Sequence, residues 1–146
     1  MKIFFFAIMC LFSQIVYSEE LIFVTSKEKF LFKTDIAKTP LEQEKGLMYK
    51  KSIPNDYAMT FIFKEPKIIY MWMKNTFIPL DMVFFDSNGQ IIWLKENAQP
   101  HDETIISSQY KAKGVIEMNA GLIKDMQLSI GNNILIQSKN PNKHIN

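Results

Sequence analysis

Arginine is absent: all 17 basic residues of this 146-residue chain are lysine. Without a guanidinium no side chain offers the planar fork that grips phosphate or carboxylate with two bonds, so anion recognition would fall to lysine and backbone amides. Histidine occurs only as His101 and His144, one in a loop-like stretch and one in a polar tail. No pair sits at ligand spacing, and no metal centre or other cofactor is expected. There is no Gly-x-Ser-x-Gly elbow, and Ser107-Ser108 has only His101 nearby, which excludes the usual nucleophilic arrangements. The 15 acidic residues nearly balance the lysines, and no basic run is interleaved with aromatics, so no nucleic-acid partner is expected. Repeats, heptads and low-complexity tracts are also missing.

The single cysteine, Cys10, falls inside an N-terminal pattern of its own. Met1 and Lys2 precede the apolar run Ile3 to Leu11, and Val16 and Ser18 stand where small residues precede a cleavage point. That order reads as a secretory signal peptide over residues 1–18, and its apolar part is shorter than the ~20 residues that span a bilayer. A lipoprotein reading through Cys10 is opposed by the bulky Met9 before it. The expected product is exported, periplasmic or secreted, with no stable membrane span and no thiol or disulfide. Residues 19–138 are expected to form one globular domain and 139–146 a flexible polar tail.

What fills that domain is strand pattern. Leu21 to Val24, Lys29 to Lys33, Ala58 to Phe63, Leu80 to Phe85, Gln90 to Leu94, Gly114 to Met118 and Ile134 to Ser138 are rich in aromatic and β-branched residues, several with strict alternation. Ile68 to Thr76 is predicted as a further strand, broken by Pro79. Asp86-Ser87-Asn88-Gly89 predicts a hairpin turn. Thr39-Pro40-Leu41-Glu42 predicts a capped helix of two to three turns with Leu41, Lys45 and Met48 on one stripe. Leu122 to Leu128 predicts a second short helix, and Lys95 to Ser108 a long surface loop. The sum is a β-rich α+β domain, a sandwich or partly closed barrel with one or two short helices. The nine methionines, two of them flanking Trp72, are read as core packing rather than soft-metal ligands.

Gly46-Leu47-Met48, Met59 with Phe61 and Phe63, Trp72-Met73-Lys74-Asn75-Thr76 with Pro79-Leu80-Asp81, Asp86 with Gly89, and Val115 to Gly121 together resemble the domain-of-unknown-function 192 family. The resemblance runs from about Ala37 to Ile136. It implies a compact β-rich domain, often preceded by a signal peptide, with no settled biochemical role. Where that family often has arginine, two residues after Gly-Leu-Met, this chain has Lys50.

The candidate site lies in the Trp-Met-Lys-Asn-Thr segment, because polar groups between strand-like runs must pair with each other, with water or with a ligand. Trp72, Lys74, Asn75, Thr76, Asp81 and Glu117 are the expected ligand-binding residues, with Tyr70 and Trp72 as a stacking wall. Two readings follow. One is a binding or interaction module for a small molecule or an envelope component. The other is a small hydrolase or lyase in which Lys74 works with Asp81 or Glu117 as acid and base. A third possibility is plain scaffold, with Lys74, Asp81 and Glu117 stapling the break at Pro79. Oligomeric state is not readable from the sequence.

Overall fold

The alternation of Phe30, Phe32 and Thr34 against Leu31, Lys33 and Asp35 turns one side of a strand inward, and the computed structural model, which describes residues 19–138, follows it residue by residue. The signal peptide read over residues 1–18, with Cys10, and the tail at 139–146, with His144, lie outside the described residues. The strands are β1 (Glu19–Val24), β2 (Lys29–Ala37), β3 (Tyr57–Lys67), β4 (Tyr70–Met71), β5 (Leu80–Phe85), β6 (Ile91–Ala98), β7 (Ile106–Ser107), β8 (Ala112–Asn119) and β9 (Asn133–Ser138). Two short helices, α1 (Pro40–Lys45) and α2 (Leu122–Asp125), complete the set.

Seven strands form one curled sheet, half of a barrel, in the order β6-β5-β8-β3-β2-β1-β9, while β4 and β7 make a separate two-stranded sheet. All pairings in the large sheet are antiparallel except β2 with β3. That parallel pair needs a crossover, and α1 lies in it. The ends of the sheet meet at one corner: Gln90 bridges Asn133, Ile134 N–H donates to the Gly89 carbonyl at 2.7 Å, and Ile91 N–H to the Asn132 carbonyl at 2.8 Å. The backbones come so close that a Cβ on Gly89 would stand 2.6 Å from the Ile134 carbonyl oxygen.

Each face of the sheet buries its own apolar layer. Leu21, Phe23, Phe32, Val83, Phe85, Ile116 and Met118 pack with Ile123 and Met126 of the α2 region on one face. Leu47, Phe61, Ile69, Met73, Leu80, Met82, Phe84 and Val115 pack on the other. Strand β5 alternates between the two layers and is buried along its whole length, Asp81 included, as the mostly apolar sequence of a strand covered on both faces requires.

Three local expectations are corrected. The segment Ile68 to Thr76 is a strand only at Tyr70–Met71, because Ile69 and Met73 plunge onto the second face while the backbone is served elsewhere: Met73 N–H donates to Asp102 O at 2.9 Å and Thr76 N–H turns back to Met73 O at 3.1 Å. Asn75, with φ 52°, occupies the left-handed region that asparagine tolerates in such turns. Both helices are shorter than predicted. In α1 the capping box of Thr39 and Glu42 forms as expected, but no residue of this helix is buried, so a packing stripe does not extend it. Finally, the first part of the expected 95–108 loop is the continuation of β6 to Ala98.

Candidate functional site

The capping box fixes where α1 starts, and Gly46 fixes where it stops. Glu42 Oε2 accepts from the backbone N–H groups of Thr39 and Lys38, both at 2.9 Å, and these bonds hold its carboxyl below the ordinary range. At the other end Gly46 turns the chain with φ 46° and ψ −131°, a conformation suited to glycine, and Leu47 then drops into the second apolar layer. This lays Gly46 to Met48 over the sheet above Phe61 of β3 and Glu117 of β8.

A cleft of about 230 Å³ opens there, lined by Gln43 to Lys45 at the end of α1 and Gly46 to Met48 after it, by Phe61 and Glu117 from the sheet, and by Tyr70, Met71, Trp72 and Thr76 from the segment around β4. Its floor exists because residue 46 has no side chain: a Cβ at that position would stand 3.1 Å from Phe61 Cζ and 3.3 Å from Glu117 Oε2.

Glu117 is the unusual group. Its side chain is 4% exposed, and its Oε2 is buried with no hydrogen-bond partner. Its strand neighbours across the ladder are Met59 and Met82, neither of which can donate. Burial pushes the Glu117 carboxyl up to about 8, and only the Leu47 backbone amide works in the opposite direction. A buried carboxyl with an unmet oxygen facing a cleft asks for a donor or a cation from outside.

Of the six predicted site residues, Trp72, Thr76 and Glu117 share this cleft. The other three are placed elsewhere. Lys74 sits with Nζ 4.9 Å from the Trp72 ring centroid, and no ion pair joins it to Asp81 or Glu117. Asn75 donates through Nδ2 to the Tyr49 hydroxyl at 2.9 Å, while Tyr49 N–H donates to the Asn75 carbonyl, also at 2.9 Å. Asp81 faces the opposite side of the sheet, where Oδ1 accepts from Asn97 N–H at 2.8 Å and Oδ2 from Gly121 N–H at 3.0 Å and Ile123 N–H at 2.8 Å. Asp81 therefore has its partners already, and it ties the start of α2 to β5 and to the end of β6. The expected convergence of Lys74, Asp81 and Glu117 is not found. Gly46 and Phe61 are cleft residues that were not among the expected site residues; the one sequence signal that points here is a single glutamate, Glu117, inside the apolar run Gly114 to Met118.

A second cleft, of about 270 Å³, lies between β6 and residues 99–109 and is lined by Trp93, Asn97, Gln99, Asp102, Ser107 and Gln109 among others. Its polar groups are largely paired within the loop: Asp102 Oδ1 with Thr104 N–H, Ser107 Oγ with Gln109 N–H, Gln99 Nε2 with Asn97 O. It offers no buried unmet group comparable to Glu117. Among the described residues, no group of three or more His, Cys, Asp and Glu is placed to hold a metal ion, and no helix is long and apolar enough to cross a membrane.

A curled β-sheet with a carboxylate-floored cleft on its helix α1 side defines the class. The chain belongs to the domain-of-unknown-function 192 family, described as an uncharacterized ACR, which it matches over residues 22–136. Among the solved structures similar to it are two that cover most of this chain. One is a proposed transcription regulator from Sinorhizobium meliloti 1021, at 38% identity and a TM-score of 0.79, covering 82% of this chain and 95% of that one. The other is a protein of unknown function from Novosphingobium aromaticivorans DSM 12444, at 28% identity and a TM-score of 0.78, covering 80% of this chain and 83% of that one. No curated protein matches the chain.

Proposed function

We propose that this is an exported binding module whose site is the Glu117 cleft, taking a small molecule or the exposed group of an envelope component. The observation that carries the reading is the buried, unmet Glu117 Oε2 at the floor of a cleft walled by Phe61, Tyr70 and Trp72. Apolar and aromatic walls around one convergent polar group are the usual composition of a small-ligand site. Export is supported by the basic, apolar and small-residue order of residues 1–18. The acid-base reading with Lys74 lacks the ammonium-carboxylate pair it needs. The test is a fragment screen followed on the Leu47 amide and the Trp72 indole by nuclear magnetic resonance. Ligands should cluster at these signals and bind more weakly to Trp72→Ala, read there on the Leu47 amide, and a screen in which hits scatter or gather at Trp93 instead would remove the assignment.

A further inference from the structure

Resting on that reading, we infer that the Glu117 cleft takes an organic ammonium, a protonated amine whose charged head meets Glu117 Oε2 and whose apolar body lies against Phe61 and Trp72. The floor supplies an oxygen and no positive charge: Met59 and Met82 flank Glu117 across the ladder. An ionised carboxylate only accepts hydrogen bonds, so whatever completes it must donate. The walls are three aromatic rings, Phe61, Tyr70 and Trp72, whose faces are electronegative and attract cations. One of these rings already holds an ammonium in this chain, since Lys74 Nζ lies 4.9 Å from the Trp72 centroid without itself lining the cleft. At the mouth Glu44 and Lys45 offset one another, so a cation is not turned away there. An anion would meet the Glu117 oxygen head on.

The assignment carries a pH signature. Glu44, Lys45 and Tyr70 share the cleft with Glu117, Lys74 stands beyond it against the Trp72 ring, and on β3 Tyr57 feels the Glu117 charge, its hydroxyl held above its ordinary range first by burial and then by Asp35. In the empty cleft burial keeps a proton on Glu117 at neutral pH. An ammonium requires the ionised form, so binding it releases that proton to solvent, and affinity rises as the solution itself becomes able to remove it. A neutral acceptor, bonded by the protonated form, has the opposite dependence.

The experiment uses nitrogen-15-labelled protein recovered from an exporting bacterial host, titrated with benzylammonium chloride, benzyl alcohol and sodium benzoate at pH 6 and pH 8. Benzylammonium is expected to move the Leu47 amide and Trp72 indole signals, to bind at least about tenfold more tightly at pH 8 than at pH 6, and to lose its binding in Glu117→Gln. Trp72→Ala, at the half-exposed rim, should weaken it while leaving the fold unchanged. If benzyl alcohol or benzoate moves these signals and benzylammonium does not, or if benzylammonium binds more tightly at pH 6, the ammonium assignment is overturned and the cleft reading stands. If none of the three moves them at either pH, both are overturned.

Discussion

Asp81 and Glu117 lie on adjacent strands yet face opposite sides of the sheet: in the β5–β8 ladder Asp81 stands opposite Met118, and Glu117 opposite Met82. Two buried carboxyls, at 1% and 4% exposure, thus have contrary surroundings. Three backbone N–H groups surround Asp81, whereas the Glu117 Oε2 has none. The first is a joint in the scaffold, and the second keeps one oxygen without a partner beside a cleft.

Asp81→Ala should therefore be severe. It strands three buried or half-buried N–H groups that begin α2 and end β6, at a cost on the order of 3 kcal/mol. For a domain of this size that lowers the melting temperature by roughly 10 °C. Urea unfolding measures it, and the Gly121 and Ile123 amides should exchange with solvent faster than the rest of the core. Asp81→Asn keeps one acceptor oxygen and should lose less.

Glu117 imposes a pH dependence of definite sign. Its folded value of about 8 lies above the ordinary 4.5, so between those values the folded chain holds a proton that the unfolded chain has lost. Stability attached to this group is fully present below about pH 4.5, falls as pH rises, and levels off above about pH 8, the total being a few kcal/mol. Glu117→Gln removes the slope. The variant should match the parent near pH 5 and exceed it at pH 8 in chemical denaturation, and parallel curves for the two proteins across this range would contradict the burial-driven shift.

The features legible in the sequence were local ones. The capping box at Thr39 and Glu42, the turn at Asp86 to Gly89, and the alternation of Met59, Phe61 and Phe63 are each set by residues within a few positions of one another. Ile68 to Thr76 was misread because its backbone donors go to Met73 and to Asp102, the latter well removed in sequence, and a polar loop that supplies a carbonyl leaves no periodicity. The parallel pairing of β2 with β3 likewise has no signature beyond a helix between two strands. In the site, Trp72, Thr76 and Glu117 could be picked out as polar or aromatic groups in apolar surroundings. That Asp81 turns away from them depends on the β5–β8 register, a property of two strands far apart in the chain.

The corner where the sheet nearly closes rests on Gly89. Its φ of 77° is costly for other residues, and an added Cβ would collide with the Ile134 carbonyl. Gly89→Ala should destabilise by about 2 kcal/mol or more. The loss should be concentrated at the seam, read as faster amide exchange at Ile91 and Ile134, with β3 and β8 protected as before. An even loss of protection across all strands would mean that the seam has no stability of its own.

Lys74 separates the scaffold reading of the polar segment from the site reading. Its ammonium has an aromatic ring beside it and no carboxylate, and Trp72 is 36% exposed. A cation-aromatic contact at such a position contributes roughly 0.5–1 kcal/mol. Lys74→Met keeps an apolar chain against the ring and gives up only the charge, so the stability change should be under about 1 kcal/mol. It should also leave the pH dependence set by Glu117 intact, since the ammonium is not paired with that carboxyl. A buried ion pair, had Lys74 been its cationic half, would lose about 3–5 kcal/mol on the same substitution. Urea titrations of the parent and the variant at pH 6 and pH 8 distinguish the two, and a loss in the larger range would place Lys74 in the scaffold.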